Sequence, residues 1–364
     1  MIPQSSEISP SATAKKKNNR RIAPDRSQRV RLIVQGLFAA LNLCIGVQFL
    51  LWVRWAMHGG AGLAVSRPAG AEGWLPIAGL MNFKLFLLTG SVPAIHPAAM
   101  FLFVAFLLIS MVAKKAFCSW LCPVGTLSEF LWKAGRKFFG RTLRLPSWAD
   151  YLLRSLKYIL LAFFGLIIGT MSIESLTEFM GTPYGLIADV KMLNFFLYLG
   201  TVGAVVLVLL VALSVVVQNF WCGYLCPYGA LMGLVSLLSP LKIRRDVEAC
   251  IECGKCAKAC PSALPVDKLL QIRSVECTAC MACVSVCATQ DALHFALPPH
   301  RAATPQGRWF RRAIGPRTVA GLIALIFFGL VLTAKLFGHW QTHLPNALYF
   351  DLVPKANELS HPMR

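Results

Sequence analysis

Five segments of the chain are apolar over enough residues to cross a lipid bilayer, and they constrain the fold more than any other feature. A transmembrane helix needs about 20 predominantly apolar residues, and a backbone in lipid must satisfy its hydrogen bonds internally. Only 14% of the residues are charged, against about a quarter in a soluble domain. We therefore predict an all-α polytopic membrane protein. Its transmembrane helices, about five, are expected at residues 32–51, 94–113, 158–173, 197–217 and 318–334.

The chain has a net charge of +20, and its basic residues are concentrated in three stretches. Residues 1–31, 114–157 and 219–317 hold 29 of the 36 Lys and Arg residues. Cytoplasmic loops of membrane proteins carry such an excess, so we attribute the charge to topology and predict no nucleic-acid partner. These three stretches are then cytoplasmic, and with five spans the C-terminal tail lies on the opposite side.

The apolar segments and the loops between them divide the chain into seven parts. In order, these are a basic, disordered N-terminus (1–31), transmembrane helices one and two with an outer loop (32–113), a cytoplasmic segment with a cysteine motif and an amphipathic stretch (114–157), transmembrane helices three and four with a second cysteine motif (158–241), a cytoplasmic cysteine-rich module (242–300), transmembrane helix five (318–334) and an outer tail (338–364).

Eight cysteines lie within residues 250–287, too densely for packing to explain them. They form two runs with the spacing C-x2-C-x2-C-x3-C, which is the ligand pattern of bacterial ferredoxins with two [4Fe–4S] clusters. Zinc sites favour separated cysteine pairs, and disulfides are rare in the cytoplasm. The runs are Cys250, Cys253, Cys256 and Cys260, then Cys277, Cys280, Cys283 and Cys287.

We therefore predict a small α+β bacterial-ferredoxin-like module with two [4Fe–4S] clusters. In this pattern the fourth cysteine of each run binds the cluster of the other run. No catalytic residue is predicted, because such clusters carry electrons and imply no substrate pocket. The predicted ligands are Cys250, Cys253, Cys256 and Cys287 for cluster 1, and Cys277, Cys280, Cys283 and Cys260 for cluster 2.

Four further cysteines form two copies of one motif, FCSWLCPVGTL and WCGYLCPYGAL, 104 residues apart. The C-x3-C spacing places two thiols on one helix face, and the proline that follows should end or bend that helix. Three interpretations are open: a further iron–sulfur cluster or other soft-metal site, two dithiol/disulfide couples, or packing residues. We call these four the CxxxCP cysteines: Cys118, Cys122, Cys222 and Cys226.

The duplication extends into the apolar segments that precede each motif, and both copies run in the same sense through the membrane. This predicts two halves related by an axis along the membrane normal. His58 and His96 lie near the outer ends of the first two predicted spans. At that interface we expect solvated side chains rather than haem or quinone ligands.

With these motifs the chain resembles the membrane polyferredoxins of the NapH and NosR kind, which are 4Fe–4S membrane proteins. The stretches KKAFCSWLCPVGTLSE and CGYLCPYGALMGLVSLLSPLKIRR and the eight-cysteine run carry the resemblance, over about residues 67–286. It implies a multi-pass protein of the bacterial inner membrane with a periplasmic tail. The outer loops are too short for the periplasmic flavin domain of NosR-like members.

The resemblance also implies electron transfer between the quinone pool and a partner redox protein. The chain would then be an electron carrier or a quinol dehydrogenase-like subunit rather than a stand-alone enzyme. An alternative function stays open at this point. In it the CxxxCP cysteines serve redox sensing, copper reduction or the assembly of a metal cofactor.

Overall fold

The computed structural model describes residues 25–140, 143, 145–289, 292–298 and 313–359. Most of the predicted disordered N-terminus (1–31) therefore lies outside the described residues, as do 299–300 at the end of the predicted module and the last five residues of the tail. The described chain is mainly helical.

Fifteen α-helices and two strands occur in the described part of the chain, together with short 3₁₀ and π-helical turns. They are α1 Ser27–Met57, α2 Pro76–Thr89, α3 Pro97–Ala113, α4 Ala116–Trp120, α5 Pro123–Phe139, α6 Ser147–Thr170, α7 Ile173–Gly181, α8 Pro183–Leu186, α9 Ala188–Leu197, α10 Thr201–Val216, α11 Pro227–Val235, β1 Lys242–Arg245, α12 Lys255–Ala259, α13 Ala282–Ser285, β2 Leu293–Ala296, α14 Pro316–Leu336 and α15 Asn346–Leu352.

Three described helices, α1, α6 and α14, are long and apolar enough to cross a membrane. The pair α9 and α10 passes the same test together, but the chain bends by 81° between them, so it counts as a fourth span only if taken as one. Residues 198–200, which end with Gly200, separate the two helices. The predicted number of five spans is therefore approximate, and the predicted span at 94–113 differs most from the structure.

That predicted span corresponds to α3, which has 17 residues, 11 of them buried. It lies at the centre of the bundle against α2, α11 and α14. Small residues allow this close packing: a Cβ on Gly79 of α2 would stand 2.9 Å from the carbonyl oxygen of Ala99. The segment is apolar all round because protein, rather than lipid, surrounds it.

Lipid-facing surfaces are found instead on the outer helices of the bundle. The exposed side chains of α6 and α10 are large and apolar, among them Phe163, Leu166, Val202 and Val208. A soluble protein rarely exposes such continuous apolar surface. Together with the long apolar helices, this surface identifies a membrane protein.

The predicted α+β module is present at one end of the bundle. Strands β1 and β2 form an antiparallel pair that aligns Lys242 with Ala296 and Arg245 with Leu293. Helix α12 lies within the first cysteine run and α13 within the second. The module shares one continuous buried core with α3 and α14. It is therefore part of the bundle's core rather than a separate body on a linker.

The sequence duplication has a structural counterpart. Helices α3 and α10 begin 104 residues apart, and so do α5 and α11. Each copy contains an apolar helix, a short helical turn that carries the first cysteine, and a helix that begins immediately after the second cysteine. The two copies differ in environment, because α3 is buried and α10 is exposed.

Candidate functional site

The second cysteine run folds around a small cavity in the module. The four cysteines predicted for cluster 2, Cys260, Cys277, Cys280 and Cys283, all line it. They also lie within electrostatic range of one another. Apolar side chains such as Ile243 and Ile272 complete the wall, and a dry shell of this kind controls the potential of an enclosed cluster.

The same backbone turn recurs in both runs. The residue before the second cysteine and the residue after it have positive φ angles, at Glu252 and Gly254 in the first run and at Ala279 and Met281 in the second. Left-handed conformations cost non-glycine residues about 1–3 kcal/mol each and persist where the surroundings enforce them, often at ligand sites. The backbone therefore takes the same course around the second cysteine in both runs.

The cysteines of the two predicted ligand sets differ in burial. Three members of the cluster 2 set are buried, whereas in the cluster 1 set Cys253 is exposed and the other three are half-buried. In the cluster 1 set, Cys250 interacts electrostatically with Cys256, and Arg245 contacts the Cys250 sulfur at 3.6 Å. One candidate cluster site thus faces the bundle and the other faces the surface.

The donor chemistry fits iron–sulfur clusters better than a single metal ion. Across the part of the chain that the structure describes, no three cysteine, histidine or acidic residues are grouped so that they could hold one metal ion, as a tetrahedral zinc site would require. The four thiolates of a cubane bind four different irons and therefore stand further apart. Four thiols around one apolar cavity suit that arrangement.

The four CxxxCP cysteines come together although 104 residues separate the two motifs. Cys118 lies within electrostatic range of Cys122 and Cys226, and Cys222 within range of the other three. All four line one large cavity. Burial raises the pKa of the Cys118 thiol to about 12 and that of Cys122 to about 11, so an isolated thiol here would be a poor nucleophile.

A helix N-terminus points at the second thiol of each motif. Cys122 is the N-cap of α5 and Cys226 that of α11, with proline at the first helical position in both. The backbone N–H of Gly229 donates to the Cys226 sulfur at 3.2 Å, and the backbone N–H groups of Gly125 and Val124 act to lower the pKa of the Cys122 thiol against the effect of burial. Free N–H groups and the helix dipole stabilise negative charge, which suits a thiolate bound to metal.

Both motifs carry a glycine at the same position, but only the first motif needs it for its turn to close. A Cβ on Gly125 would lie 2.1 Å from the carbonyl oxygen of Cys118, whereas at Gly229 the nearest atom is 3.6 Å away. We expect Gly125→Ala to destabilise the fold by about 1–3 kcal/mol through overpacking and to lower bound iron. Gly229→Ala, the equivalent change in the second motif, should be tolerated. Thermal unfolding and iron per chain, measured for both variants, test this; equal effects would contradict it.

Hydrogen bonds connect the first CxxxCP motif to the cluster 2 loop. Ser119 Oγ donates to the carbonyl of Thr278 at 2.6 Å, and Trp120 Nε1 donates to that of Ala279 at 3.1 Å. Both carbonyls lie between Cys277 and Cys280. The motif and the loop are therefore in direct contact, which the sequence did not predict.

Salt bridges hold the surrounding helices in place. Arg31 of α1 forms a bidentate pair with Glu129 of α5. Burial acts against ionisation of Glu129, but the hydrogen bonds and charges of Arg31 and Lys133 lower its pKa to about 2. The pair is therefore ionised at any physiological pH. It fixes the start of α1 against the motif.

The cavity that the CxxxCP cysteines line has a volume of about 810 Å³ and mainly apolar walls. It extends along one face of α1, from Gln28 near the module to Gln48 near the opposite end. Trp132 of α5 lines it and is 5% exposed. Its Nε1 is buried and has no hydrogen-bond partner in the structure.

The structure also shows a buried polar cluster at the other end of the bundle. Arg67 bonds to Asp189 at 2.6 Å and to Glu72 at 2.9 Å, and His96 Nδ1 lies 3.3 Å from Glu72. Thr342 donates to Glu72 at 2.9 Å. His96 is fully buried, so the expectation of a solvated side chain was wrong. The sequence feature that could have indicated this cluster is the rarity of charged residues in these connecting segments. Charged side chains at membrane depth need partners.

Comparisons with known proteins agree with these sites. The family described as "4Fe-4S binding domain" matches twice, at residues 95–142 and 199–246, once over each CxxxCP motif. The family described as "4Fe-4S dicluster domain" matches residues 242–288. The chain is 48% identical to the "Putative electron transport protein YccM" of Escherichia coli (strain K12), over 91% of each chain. The chain belongs to the YccM family. No solved structure matches it.

Two further relatives match about half of this chain. It is 26% identical to the "Ferredoxin-type protein NapH" of Escherichia coli (strain K12), over 50% of this chain and 61% of that one. It is 28% identical to the "Methylamine utilization ferredoxin-type protein MauN" of Paracoccus denitrificans (strain Pd 1222), over 46% and 56%. The chain is thus a 4Fe–4S membrane protein of an electron-transport family, as its motifs predicted.

Proposed function

We propose that this YccM family member takes electrons from quinol in the bilayer and delivers them to a soluble redox partner. They would pass through a centre at the CxxxCP cysteines, then cluster 2, then cluster 1. The observation that carries the proposal is the meeting of the four CxxxCP thiols beside the cluster 2 loop. Packing alone does not explain four soft-metal ligands, two of which are helix N-caps.

The order of the centres follows from how far each set of cysteines lies from the surface of the module. The CxxxCP cysteines lie where the apolar cavity meets the module. Ser119 and Trp120 connect them to the cluster 2 loop, and the cluster 1 set contains the exposed Cys253. Electrons would thus move from lipid to the surface of the module. The eight ferredoxin cysteines keep the roles that their spacing predicts, with Cys260 and Cys287 exchanged between the runs.

The cavity supports quinol as the electron donor. Its volume lies in the range of small-molecule sites, about 300–1,000 Å³, and its length along α1 suits an isoprenoid tail. The unpartnered N–H of Trp132 can donate to a quinone oxygen. Oxidation of one quinol releases two electrons and two protons. The CxxxCP cysteines would hold a centre that could accept these electrons one at a time, and the protons would pass to water.

The orientation that we propose follows the distribution of basic residues. The start of α1, the end of α3 and the first half of α6 all contact the ferredoxin module, through Gln28, Lys114 and Lys157. They therefore lie at one end of the bundle. The positive-inside rule makes that end cytoplasmic. The protein would then sit in the bacterial inner membrane, with its C-terminal tail in the periplasm and its redox partner in the cytoplasm.

The alternative is redox sensing, copper reduction or assembly of a metal cofactor. Thiols also suit Cu(I), so a pair of CxxxCP cysteines could hold copper instead of iron. The two functions differ in the metal bound and in turnover, because a carrier must be reduced and reoxidised at the pace of its pathway.

The test is metal and acid-labile sulfide per chain, with EPR spectra, on protein purified without oxygen. The same assay is run on a variant with all four CxxxCP cysteines changed to Ser. We expect about twelve irons in the parent chain and about eight in the variant, since each [4Fe–4S] cluster holds four. About eight irons in both would overturn the third iron–sulfur centre, and copper lost only from the variant would favour the alternative.

A further inference from the structure

Two adjacent lysines are buried where α3 ends. Lys114 is fully buried and Lys115 is 3% exposed. Lysine is almost never fully buried without a partner, and two in succession carry a large desolvation penalty. The positive-inside rule explains lysines at a cytoplasmic helix end, but it predicts solvated ones. Their burial needs another explanation.

Lys114 is directed toward the cluster 2 site. Its φ angle is 60°, a left-handed conformation that turns the chain sharply after α3. Its backbone N–H is held by Ser239 Oγ at 3.0 Å. Its Nζ donates to the carbonyl of Ser274 at 3.1 Å, three residues before Cys277. The ammonium group lies within electrostatic range of the Cys277 sulfur.

Lys115 is directed toward the CxxxCP site. Its charge lies within electrostatic range of Cys118, Cys222 and Cys226. Its Nζ stands 4.0 Å from a carboxylate oxygen of Glu276. That carboxylate is shared, because Lys157 bonds to it at the shorter distance of 2.6 Å. Glu276 thus offsets only part of the positive charge beside the CxxxCP thiols.

We propose that Lys114 and Lys115 set the reduction potentials of two neighbouring centres separately, Lys114 for cluster 2 and Lys115 for the centre at the CxxxCP cysteines. The Lys115 half rests on the proposed function, whereas the Lys114 half needs only the ferredoxin cluster. A reduced cluster carries one more negative charge than an oxidised one. A fixed cation in a medium of low dielectric constant therefore stabilises the reduced form, and nearby charge is one of the factors that set cluster potentials.

The consequence would be two neighbouring centres whose reduction potentials are both raised, so that each can accept an electron in turn. Without a nearby cation, a buried cluster with four thiolates holds excess negative charge and accepts an electron poorly. Lys115 would raise the potential of the first centre so that a weak reductant such as quinol can reduce it. Lys114 would raise that of cluster 2, so the electron continues toward the module surface. The two adjacent lysines would thus raise the reduction potentials of two successive centres.

The test is an EPR-monitored redox titration of the full-length protein in detergent, with Lys114→Met and Lys115→Met compared with the parent. We expect each change to weaken electron affinity about tenfold at its own centre, a shift of 59 mV toward negative potential for one electron. The other centre should shift much less. Lys115→Arg keeps the positive charge, so both reduction potentials should equal those of the parent. Lys137→Met, at an exposed lysine of α5, should shift the potential of neither centre.

Glu276→Gln is the second variant, in case a methionine variant does not fold. Removal of this carboxylate leaves the positive charge less balanced, so potentials should move in the opposite direction. Equal shifts at both centres in each lysine variant, or none, would overturn the proposal. If the parent lacks a third centre, the proposed function fails. The Lys114 half is then still decided by the potential of cluster 2.

Discussion

Quinol should no longer reduce the ferredoxin clusters once Cys118 and Cys122 are both replaced by Ser, although dithionite should still do so. The two thiols belong to the centre that we place between the cavity and cluster 2, and the module has its own eight ligands. Changes to the outer-shell partners of metal ligands already cost about 10- to 100-fold in activity or affinity. We expect a loss of at least about 100-fold for the ligands themselves.

The measurement is the rate at which visible cluster absorbance bleaches after reduced quinone is added to sealed vesicles without oxygen. Cys44→Ser provides the matched control, because Cys44 is exposed on α1 and belongs to neither motif. Its rate should equal that of the parent. A double variant that bleaches at the parent rate with quinol would exclude the CxxxCP cysteines from the pathway.

Arg67→Met should be the most destabilising single substitution in the half of the bundle away from the ferredoxin module. It leaves the carboxylates of Asp189 and Glu72 buried without their cation, and both are fully buried. Breaking a buried ion pair from one side costs about 3–5 kcal/mol. The loss should appear as a lower midpoint of thermal unfolding in detergent, with iron content unchanged in the fraction that remains folded.

An exposed ion pair on the same side of the bundle gives the comparison. Lys355 pairs with Asp351 on the surface, and such pairs contribute about 0–1 kcal/mol. Lys355→Met should therefore leave the unfolding midpoint almost unchanged. Equal midpoints for Arg67→Met and the parent would mean that water compensates the carboxylates, and that the cluster is more hydrated than its contacts indicate.

The sequence predicted the parts of this protein that depend on local spacing. The cysteine runs indicated a ferredoxin module, and the motif copies 104 residues apart indicated a duplication, because each signal lies within about a dozen consecutive residues. Helices α1 and α14 enclose two predicted spans, and α6 covers all but the last three residues of a third. The reason is the same, because an apolar stretch is readable from the chain alone.

Features that depend on tertiary contacts were not predictable. The segment 94–113 was as apolar as a lipid-facing span, and only the packing around α3 shows that protein covers it. Arg67, Glu72 and Asp189 extend over 122 residues and share no periodicity. Lys114 and Lys115 looked like ordinary cytoplasmic charges. The meeting of the CxxxCP cysteines was one interpretation among three, because spacing within a motif says nothing about the distance between motifs.

The hydrogen bonds from Ser119 and Trp120 to the cluster 2 loop also have a kinetic consequence. A module that is hydrogen-bonded to the bundle through its cluster 2 loop cannot move as a rigid body toward an acceptor, as a carrier domain on a flexible linker would. In the function that we propose, the acceptor would instead diffuse to the exposed surface around Cys253, and delivery would be a bimolecular collision whose frequency depends on acceptor concentration. Because Lys255 and Lys258 follow that cysteine, ionic strength should modulate this encounter, while transfer inside the protein should not respond to salt.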